Sequence, residues 1–214
     1  MIKAIIFDWG GVMEAMVGEA DTQAWEERLA LEPGALADAL WGDIWEELEV
    51  NAIGETQYLQ RVAERLGFAD VEALEAVLNE LYAGDRLNRE MVAAAKALRQ
   101  RYQVAVLSNA WPGQRRHVLE TFGIDLHTEF DVYVNSAEVE LRKPDLAIYR
   151  LAVERLEIEP SEAVFLDDLP RNVAAAREIG LHAIHVNDPA EALNDLERLL
   201  GHPIDRHERE GRET

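Results

Sequence analysis

Polar side chains that could take part in catalysis or ligand binding follow three apolar runs of this sequence. They are Asp8 after the first run, Ser108 and Asn109 after the second, and Asp167 and Asp168 after the third. A carboxylate can attack an electrophile or bind a metal ion, whereas hydroxyl and amide groups can hold anionic oxygens. Taken singly, each residue is typical of a turn or a helix cap. A site is therefore predicted only if the fold brings these residues together.

The three apolar runs have the character of buried strands in a parallel sheet. They span residues 2–7, 104–107 and 163–166. Short runs without regular polar alternation are typical of strands that are covered on both faces. Ligands of open α/β sheets bind at the carboxyl ends of the strands, where the polar residues are placed. Lys143 lies just before a helix that begins at Pro144, so it can reach the same edge. The pattern predicts one crevice that contains carboxylates, polar donors and an ammonium group.

Strand and helix patterns alternate through the second part of the chain. From residue 88 onward, helical patterns separate the apolar runs, and further strands are predicted at residues 132–134 and 182–186. Strands that are separated by helices of this length indicate right-handed crossovers between parallel strands. We therefore predict an α/β fold with a doubly wound parallel sheet.

A helical insertion follows the first strand. Four amphipathic helical patterns with short connections are predicted, and one of them contains Leu36, Leu40, Ile44 and Leu48 at a spacing of four residues. Helices of this kind form a small bundle. The prediction is an α/β core domain and a helical domain, which comprise residues 1–13 with 86–214 and residues 14–85, respectively.

The composition limits the possible partners. The 42 acidic and 21 basic residues give a net charge of -21, which disfavours nucleic acid and membrane surfaces. A small anionic substrate is still possible if a metal ion or a lysine dominates the field in the site.

The absence of cysteine excludes disulfides and thiolate chemistry. With no leader-like segment at Met1 and no long apolar run, we expect a cytoplasmic protein, and the sequence does not indicate its oligomeric state.

The chain resembles the haloacid dehalogenase superfamily, most of whose members are phosphatases. The resemblance covers the whole sheet domain, with four motifs in the order and spacing of the family. The motifs are the strand that ends in Asp8, Leu107-Ser108-Asn109, Arg142-Lys143-Pro144-Asp145 and Phe165-Leu166-Asp167-Asp168. The inserted helices resemble the common helical cap of the family. The resemblance implies a Rossmann-like sheet and hydrolysis of a small phosphorylated metabolite.

The resemblance also implies the chemistry. Asp8 would attack a phosphoryl group and form an aspartyl-phosphate, which water then hydrolyses. A Mg²⁺ cofactor would be held by the Asp8 carboxylate, the Gly10 backbone carbonyl and Asp168, with Asp167 acting through water. Such a cation offsets the repulsion between a carboxylate and a phosphate.

The remaining positions of the motifs would bind the phosphate. Ser108 and the neighbouring donors of Asn109 would hold the transferring oxygens, while Lys143 would neutralise charge on the phosphoryl group and on the nucleophile. Asn172 follows Asp168 by four residues. It either forms a hydrogen bond within the acidic loop or is an ordinary residue of a first helical turn.

One position departs from the pattern of the family. Phosphatases of the superfamily usually carry a second Asp two residues after the nucleophile, as general acid and base, and here that position is Gly10. We therefore expect substrates with good leaving groups, such as sugar 1-phosphates or acyl phosphates, or an acid from elsewhere. The candidate acids, each of which is expected to be a solvated surface charge, are Glu14, Asp43, Glu46 and Glu49.

Tryptophan is abundant for a chain of this length. Trp9 and Trp111 follow the proposed site residues closely and are predicted to form walls of the crevice. The remaining tryptophans fall on the predicted helices of the insertion, where core packing explains them. They are Trp25, Trp41 and Trp45.

Two other functions are compatible with the sequence. The dehalogenases of the superfamily also lack the second Asp, but they use no metal and have no acidic pair like Asp167-Asp168. A binding or regulatory module could also have kept the fold and lost catalysis at Gly10. The presence of Asp8, Ser108 and Lys143 together favours the phosphatase, because a non-catalytic crevice does not need this set.

Overall fold

The computed structural model of the chain describes residues 1–84 and 86–205. In chain order its strands are β1 (Ala4–Phe7), β2 (Glu14–Ala15), β3 (Arg86–Leu87), β4 (Gln103–Ser108), β5 (Val132–Asn135), β6 (Ala163–Asp167) and β7 (His182–His185). Five of them form a sheet in the order β5-β4-β1-β6-β7, whereas β2 and β3 form a separate antiparallel pair. All neighbours in the larger sheet are parallel, which confirms the predicted sheet.

Helices cover both faces of the sheet, as in a doubly wound fold. In chain order the helices are α1 (Glu19–Leu29), α2 (Ala35–Trp41), α3 (Asp43–Leu48), α4 (Glu55–Leu66), α5 (Val71–Leu81), α6 (Arg89–Leu98), α7 (Gln114–Phe122), α8 (Ser136–Val139), α9 (Leu146–Arg155), α10 (Pro170–Glu178) and α11 (Pro189–Leu200), with 3₁₀ turns at Tyr82–Gly84 and Pro160–Glu162. Phe7 and Leu166 pack with residues of α6 and α11, while Ile6 and Phe165 pack with residues of α9 and α10 on the other face. None of the described helices is long and apolar enough to cross a membrane.

The register of the sheet sets the position of Asp8. Phe7 lies beside Val106 of β4 and Leu166 of β6. The Asp8 backbone N–H donates to the Leu166 carbonyl at 2.9 Å, so the pairing of β1 with β6 continues for one further residue. The central strand therefore presents Asp8 at the carboxyl edge, between the ends of β4 and β6.

The helices between β2 and β3 have a hydrophobic cluster of their own, which includes Leu40, Val62 and Leu74. The sequence predicted four helices in this region, but its described residues form five α-helices, because Gly42 divides the second predicted helix into α2 and α3. A Cβ atom at Gly42 would lie 2.3 Å from the Asp38 carbonyl oxygen. Only glycine permits this close approach of the backbone, so the helix is interrupted at that point.

The chain crosses between the sheet and the inserted helices through β2 and β3. Glu14 pairs with Leu87, and Ala15 pairs with Arg86, so the two crossing segments lie side by side. The domain boundaries expected at 13/14 and 85/86 stay a prediction. Asp85 and residues 206–214, which were assigned to the two predicted domains, lie outside the described residues.

Candidate active site

Lys143 lies at the centre of the predicted site and is almost completely buried. Its ammonium Nζ is 2.7 Å from Asp8 Oδ1 and 2.7 Å from Asp167 Oδ2, and the residue is 1% exposed. Burial alone would lower the pKa of Lys143, but the two carboxylates beside it raise that pKa above its usual value. The ammonium group therefore stays charged and bridges the ends of β1 and β6.

Asp167 is held rigidly by its neighbours. Its Oδ1 accepts hydrogen bonds from the Leu169 backbone N–H at 2.8 Å and from the Asn172 side-chain amide at 3.0 Å. Its Oδ2 accepts from Lys143 at 2.7 Å and from the same amide at 3.1 Å. Of the two interpretations of Asn172, the structure shows the hydrogen bond within the acidic loop. Because both Asp167 oxygens are already bonded, Asp168 is the more available ligand of the pair.

Three carboxylates meet at this edge of the sheet. One ligand atom from each of Asp8, Asp167 and Asp168 lies within 4.8 Å of the other two. Burial raises the pKa of the Asp8 carboxyl well above its usual value, against the lowering effect of Lys143, and burial also raises the pKa of Asp168. When all three carboxylates are ionised, the single ammonium leaves two negative charges without a partner. This oxygen-rich, doubly negative site fits a divalent cation such as Mg²⁺.

The end of β4 brings a hydroxyl and an amide to the same edge. Ser108 is 1% exposed, and its Oγ accepts a hydrogen bond from Gln114 Nε2 at 2.9 Å. The Asn109 side chain forms two hydrogen bonds with the backbone of Lys143, donating to its carbonyl at 3.0 Å and accepting from its N–H at 2.8 Å. The Asn109 side chain thus fixes the loop that carries Lys143.

The two glycines after Asp8 have different surroundings. Gly11 has a φ of +79°, and a Cβ atom there would lie 2.4 Å from Asp168 Oδ2. A Cβ atom at Gly10 would lie 3.0 Å from the Sδ atom of Met16, a residue that is 53% exposed. Asp168 therefore packs against the bare backbone of Gly11, whereas the position of the missing second Asp lies beside a flexible side chain.

This contrast predicts different outcomes for two alanine substitutions. We expect Gly11→Ala to weaken Mg²⁺ binding about tenfold or more, because the new methyl group displaces Asp168 and strains a left-handed backbone. We expect Gly10→Ala to change the same affinity by about twofold at most, because Met16 can move aside. Calorimetric titration of both variants with Mg²⁺ measures the difference. Equal affinities in the two variants would contradict the placement of Asp168.

The candidate acids divide into two buried and two exposed residues. Glu14 and Glu49 are 8% and 5% exposed, so their expected place on the solvated surface is wrong. Burial raises the pKa of both carboxyls, although Trp9 partly offsets this for Glu14 and Arg142 for Glu49. The other two carboxylates are exposed, as expected, and form ion pairs with arginines. They are Asp43, which pairs with Arg65, and Glu46, which pairs with Arg142.

Trp9 does not form a wall of the crevice, contrary to the prediction. It is 1% exposed and packs in a hydrophobic cluster on one face of the sheet, with its indole N–H donating to Glu14 Oε2 at 2.5 Å. A large apolar side chain directly after a strand continues the alternation of that strand, which here directs it into the core. Trp111 is only partly buried and lies against the hydrophobic cluster of the inserted helices.

The inserted helices contact the sheet domain close to Lys143. The guanidinium of Arg142 lies 2.9 Å from Glu46, which is in α3, and 3.0 Å from Glu49, which directly follows α3. Trp45 of α3 contacts Trp111, which lies between β4 and α7, with 5.9 Å between the ring centroids. Arg142, the residue before Lys143, thus forms ion pairs with the inserted helices, and a separate aromatic contact joins the insertion to Trp111.

A doubly wound sheet with a buried lysine and a carboxylate cluster at its carboxyl edge is typical of an α/β enzyme whose site lies at the strand ends. The family described as "Hydrolase: haloacid dehalogenase-like hydrolase" matches residues 2–180 of the chain. This match covers most of the sequence, and the chain belongs to that family of hydrolases.

Comparisons with individual proteins agree with this assignment. The chain is 30% identical over 185 residues to phosphoserine phosphatase of Thermus thermophilus, covering 81% of this chain and 72% of that protein. It is 32% identical over 132 residues to bifunctional epoxide hydrolase 2 of Rattus norvegicus, which is 60% of this chain but 24% of the longer relative. A HAD family enzyme of Bacteroides thetaiotaomicron, solved in complex with magnesium and inorganic phosphate, shares the fold with a TM-score of 0.70 and 21% identity over 86% of this chain and 94% of that chain.

Proposed function

We propose that the chain is a magnesium-dependent phosphomonoester hydrolase that acts on a small phosphorylated metabolite. The observation that supports this most strongly is the buried ammonium of Lys143, shared at 2.7 Å by Asp8 and Asp167 beside the third carboxylate of Asp168. A cation placed between carboxylates at a strand edge suits the transfer of a charged phosphoryl group. The similarity to a phosphoserine phosphatase supports the same reaction class.

The residues that would hold Mg²⁺ are the Asp8 carboxylate, the Gly10 backbone carbonyl and Asp168. Asp167 would act through water, because its two oxygens already accept four hydrogen bonds. When bound, the ion supplies positive charge that offsets the phosphoryl oxygens. The related enzyme of Bacteroides thetaiotaomicron was solved with magnesium and inorganic phosphate, which supports this choice of ion.

Asp8 would be the nucleophile. Its carboxylate oxygen forms a bond to phosphorus while the bond to the leaving-group oxygen breaks; that oxygen departs with the bonding electron pair and takes a proton from a nearby acid or from water, which produces an aspartyl-phosphate and an alcohol or acid. Water then attacks the phosphorus and regenerates the Asp8 carboxylate with release of phosphate. Lys143 would stabilise negative charge in both steps. Ser108 would donate from its hydroxyl, and Asn109 from its backbone N–H, because the Asn109 side chain is already bonded to the Lys143 loop.

The inserted helices would act as a cap that selects the leaving group. Their contacts at Arg142 and Trp111 lie in the loop that carries Lys143 and in the loop that follows Ser108. A closed cap excludes water and encloses the part of the substrate that departs. Glu14 and Glu49 are the candidates to replace the missing acid, since both are buried and burial raises the pKa of each carboxyl, which favours the protonated form that an acid needs.

The test is phosphate release from a panel of phosphorylated metabolites, with Mg²⁺ or with EDTA. The panel includes sugar 1-phosphates, acyl phosphates, alkyl phosphates and p-nitrophenyl phosphate. We expect release only with Mg²⁺, and faster release for the better leaving groups. Halide release from a 2-haloacid in EDTA would instead show the dehalogenase reaction. Tight orthophosphate binding without turnover of any substrate would show a binding module.

Restoring the second Asp tests the role of Gly10. We expect Gly10→Asp to raise the turnover of alkyl phosphates about tenfold or more, because general acid catalysis contributes roughly 10²–10⁴-fold. The new side chain has room once Met16 moves, since only the end of that side chain lies within 3.0 Å of the added Cβ atom. Gly10→Asn is the matched control, which adds the same bulk without an acid. Equal rates for the two variants under saturating Mg²⁺ would contradict this role.

A further inference from the structure

A buried chain of polar side chains lies behind Ser108 and is anchored to the backbone at its far end. Asn135 Oδ1 accepts from the Ala137 backbone N–H at 2.8 Å, and Asn135 Nδ2 donates to the Trp111 carbonyl at 3.0 Å. A backbone N–H only donates and a carbonyl only accepts. The orientation of the Asn135 side-chain amide is therefore fixed by its backbone partners.

This orientation determines the direction of the next hydrogen bonds. Asn135 Nδ2 donates to the Tyr133 hydroxyl at 2.9 Å, and an amide NH₂ group cannot accept a proton in return. The single Tyr133 proton is accordingly donated to Gln114 Oε1, at 2.9 Å. The opposite end of the Gln114 amide, Nε2, then faces Ser108 Oγ at 2.9 Å and donates to it.

The chain of hydrogen bonds ends with one proton left over. Ser108 Oγ accepts from the Gln114 Nε2 group, which cannot accept in return, so the Ser108 hydroxyl proton is available to a different acceptor. Among the described residues, no hydrogen bond donated by this hydroxyl is found, although Ser108 is only 1% exposed. A buried donor without an acceptor is costly, which points to a ligand oxygen that is bound in the crevice.

We propose that Gln114 is a positioning residue, which directs the Ser108 hydroxyl proton into the crevice as a donor for a phosphoryl oxygen. Tyr133 and Asn135 set the orientation of Gln114, so the three side chains behave as one unit. The inference rests on the proposed function only in taking Ser108 as a phosphate-binding residue. It assigns to α7 and β5 a part in phosphate binding that the family motifs do not contain.

Reversing one hydrogen bond tests the proposal. In Gln114→Glu, a carboxylate of nearly the same shape accepts the Ser108 proton and withdraws it from the crevice. We expect the affinity for inorganic phosphate, titrated in the presence of Mg²⁺, to fall about tenfold or more, as for Ser108→Ala. In Tyr133→Phe the Gln114 amide loses its orienting donor, and we expect a smaller loss of about threefold. Thermal melts of all variants report their folding.

A double-mutant comparison separates the positioning of the Ser108 hydroxyl from damage to the fold and from repulsion between the carboxylate introduced at position 114 and phosphate. On the Ser108→Ala background, we expect Gln114→Glu and Tyr133→Phe to cause no further loss of phosphate affinity. Additive losses on that background would overturn the proposal, and so would an unchanged affinity in Gln114→Glu while Ser108→Ala binds weakly. Phosphate binding that follows the expected pattern without turnover of any ester would refute the hydrolase and keep this inference. No phosphate binding by the wild type would overturn this inference, whereas the hydrolase is judged separately by phosphate release from the panel.

Discussion

Asp8→Asn is expected to abolish phosphate release, with a loss in kcat/KM of about 10⁴-fold or more. An amide oxygen is a poor nucleophile, and removal of an attacking group typically costs about 10⁴–10⁶-fold. The change is nearly isosteric, so the neighbours of Asp8 need not move. Phosphate release from the best substrate of the panel, with saturating Mg²⁺, is the measurement.

The same substitution should make the protein more stable at neutral pH in EDTA. Burial and two nearby carboxylates raise the folded-state pKa of Asp8 above its usual value of 3.8, despite Lys143. A group whose folded-state pKa is raised stabilises the protein below its unfolded pKa, and this contribution is lost as the pH rises through the folded-state value. The melting temperature of Asp8→Asn should therefore exceed that of the wild type at pH 7, and the gain should shrink as the pH falls towards 4.

Asp70→Asn provides the matched control. Asp70 is an exposed carboxylate that caps α5 by accepting from the Ala73 backbone N–H at 2.9 Å, and asparagine can keep this hydrogen bond. We expect no change in activity and no pH-dependent gain in melting temperature. An Asp8→Asn enzyme that still turns over substrate would exclude Asp8 as the nucleophile. A loss of activity with lower stability at every pH would indicate damage to the fold instead.

The sheet and the meeting of the strand ends could be predicted because both depend on local pattern. A short apolar run that is followed by Asp8 or by Asp167 specifies a buried strand and its polar end. The parallel register of the strands then places these polar ends at the same edge of the sheet. The division of the second helix at Gly42 was missed. The apolar spacing of four continues across it, and the reason for the interruption, the lack of room for a Cβ atom beside the Asp38 carbonyl, is visible only in the folded chain.

The burial and the hydrogen-bond partners of the charged and amide side chains could not be predicted from the sequence. Glu49 is buried because Arg142, 93 positions further along the chain, lies beside it across the contact between insertion and sheet. Gln114 has the sequence context of an ordinary first-turn residue, yet its partners are Ser108 and Tyr133, which come from two neighbouring strands. Burial of such groups depends on partners that only the folded chain brings together.

Lys143→Met is expected to lower activity strongly and to destabilise the fold. The substitution leaves the carboxylates of Asp8 and Asp167 facing each other without the buried ammonium that now lies 2.7 Å from both. Removal of one partner from a buried ion pair costs about 3–5 kcal/mol of unfolding free energy. Loss of the positive charge at the phosphoryl group should lower kcat about 10²–10³-fold, the usual effect of one stabilising donor.

Urea unfolding in EDTA at pH 7 and pH 5, with and without a second change at Asp8, tests this prediction. Without Lys143 the Asp8 carboxyl loses the cation that lowers its pKa and binds a proton more readily, so the loss of stability should be smaller at pH 5 than at pH 7. Lys143→Met/Asp8→Asn should recover part of the stability at pH 7, because one of the two uncompensated charges is gone, and it should stay inactive. A Lys143→Met protein as stable as the wild type at pH 7 would mean that the ammonium does not compensate these carboxylates. In that case the buried ion triad could not be the basis of the site.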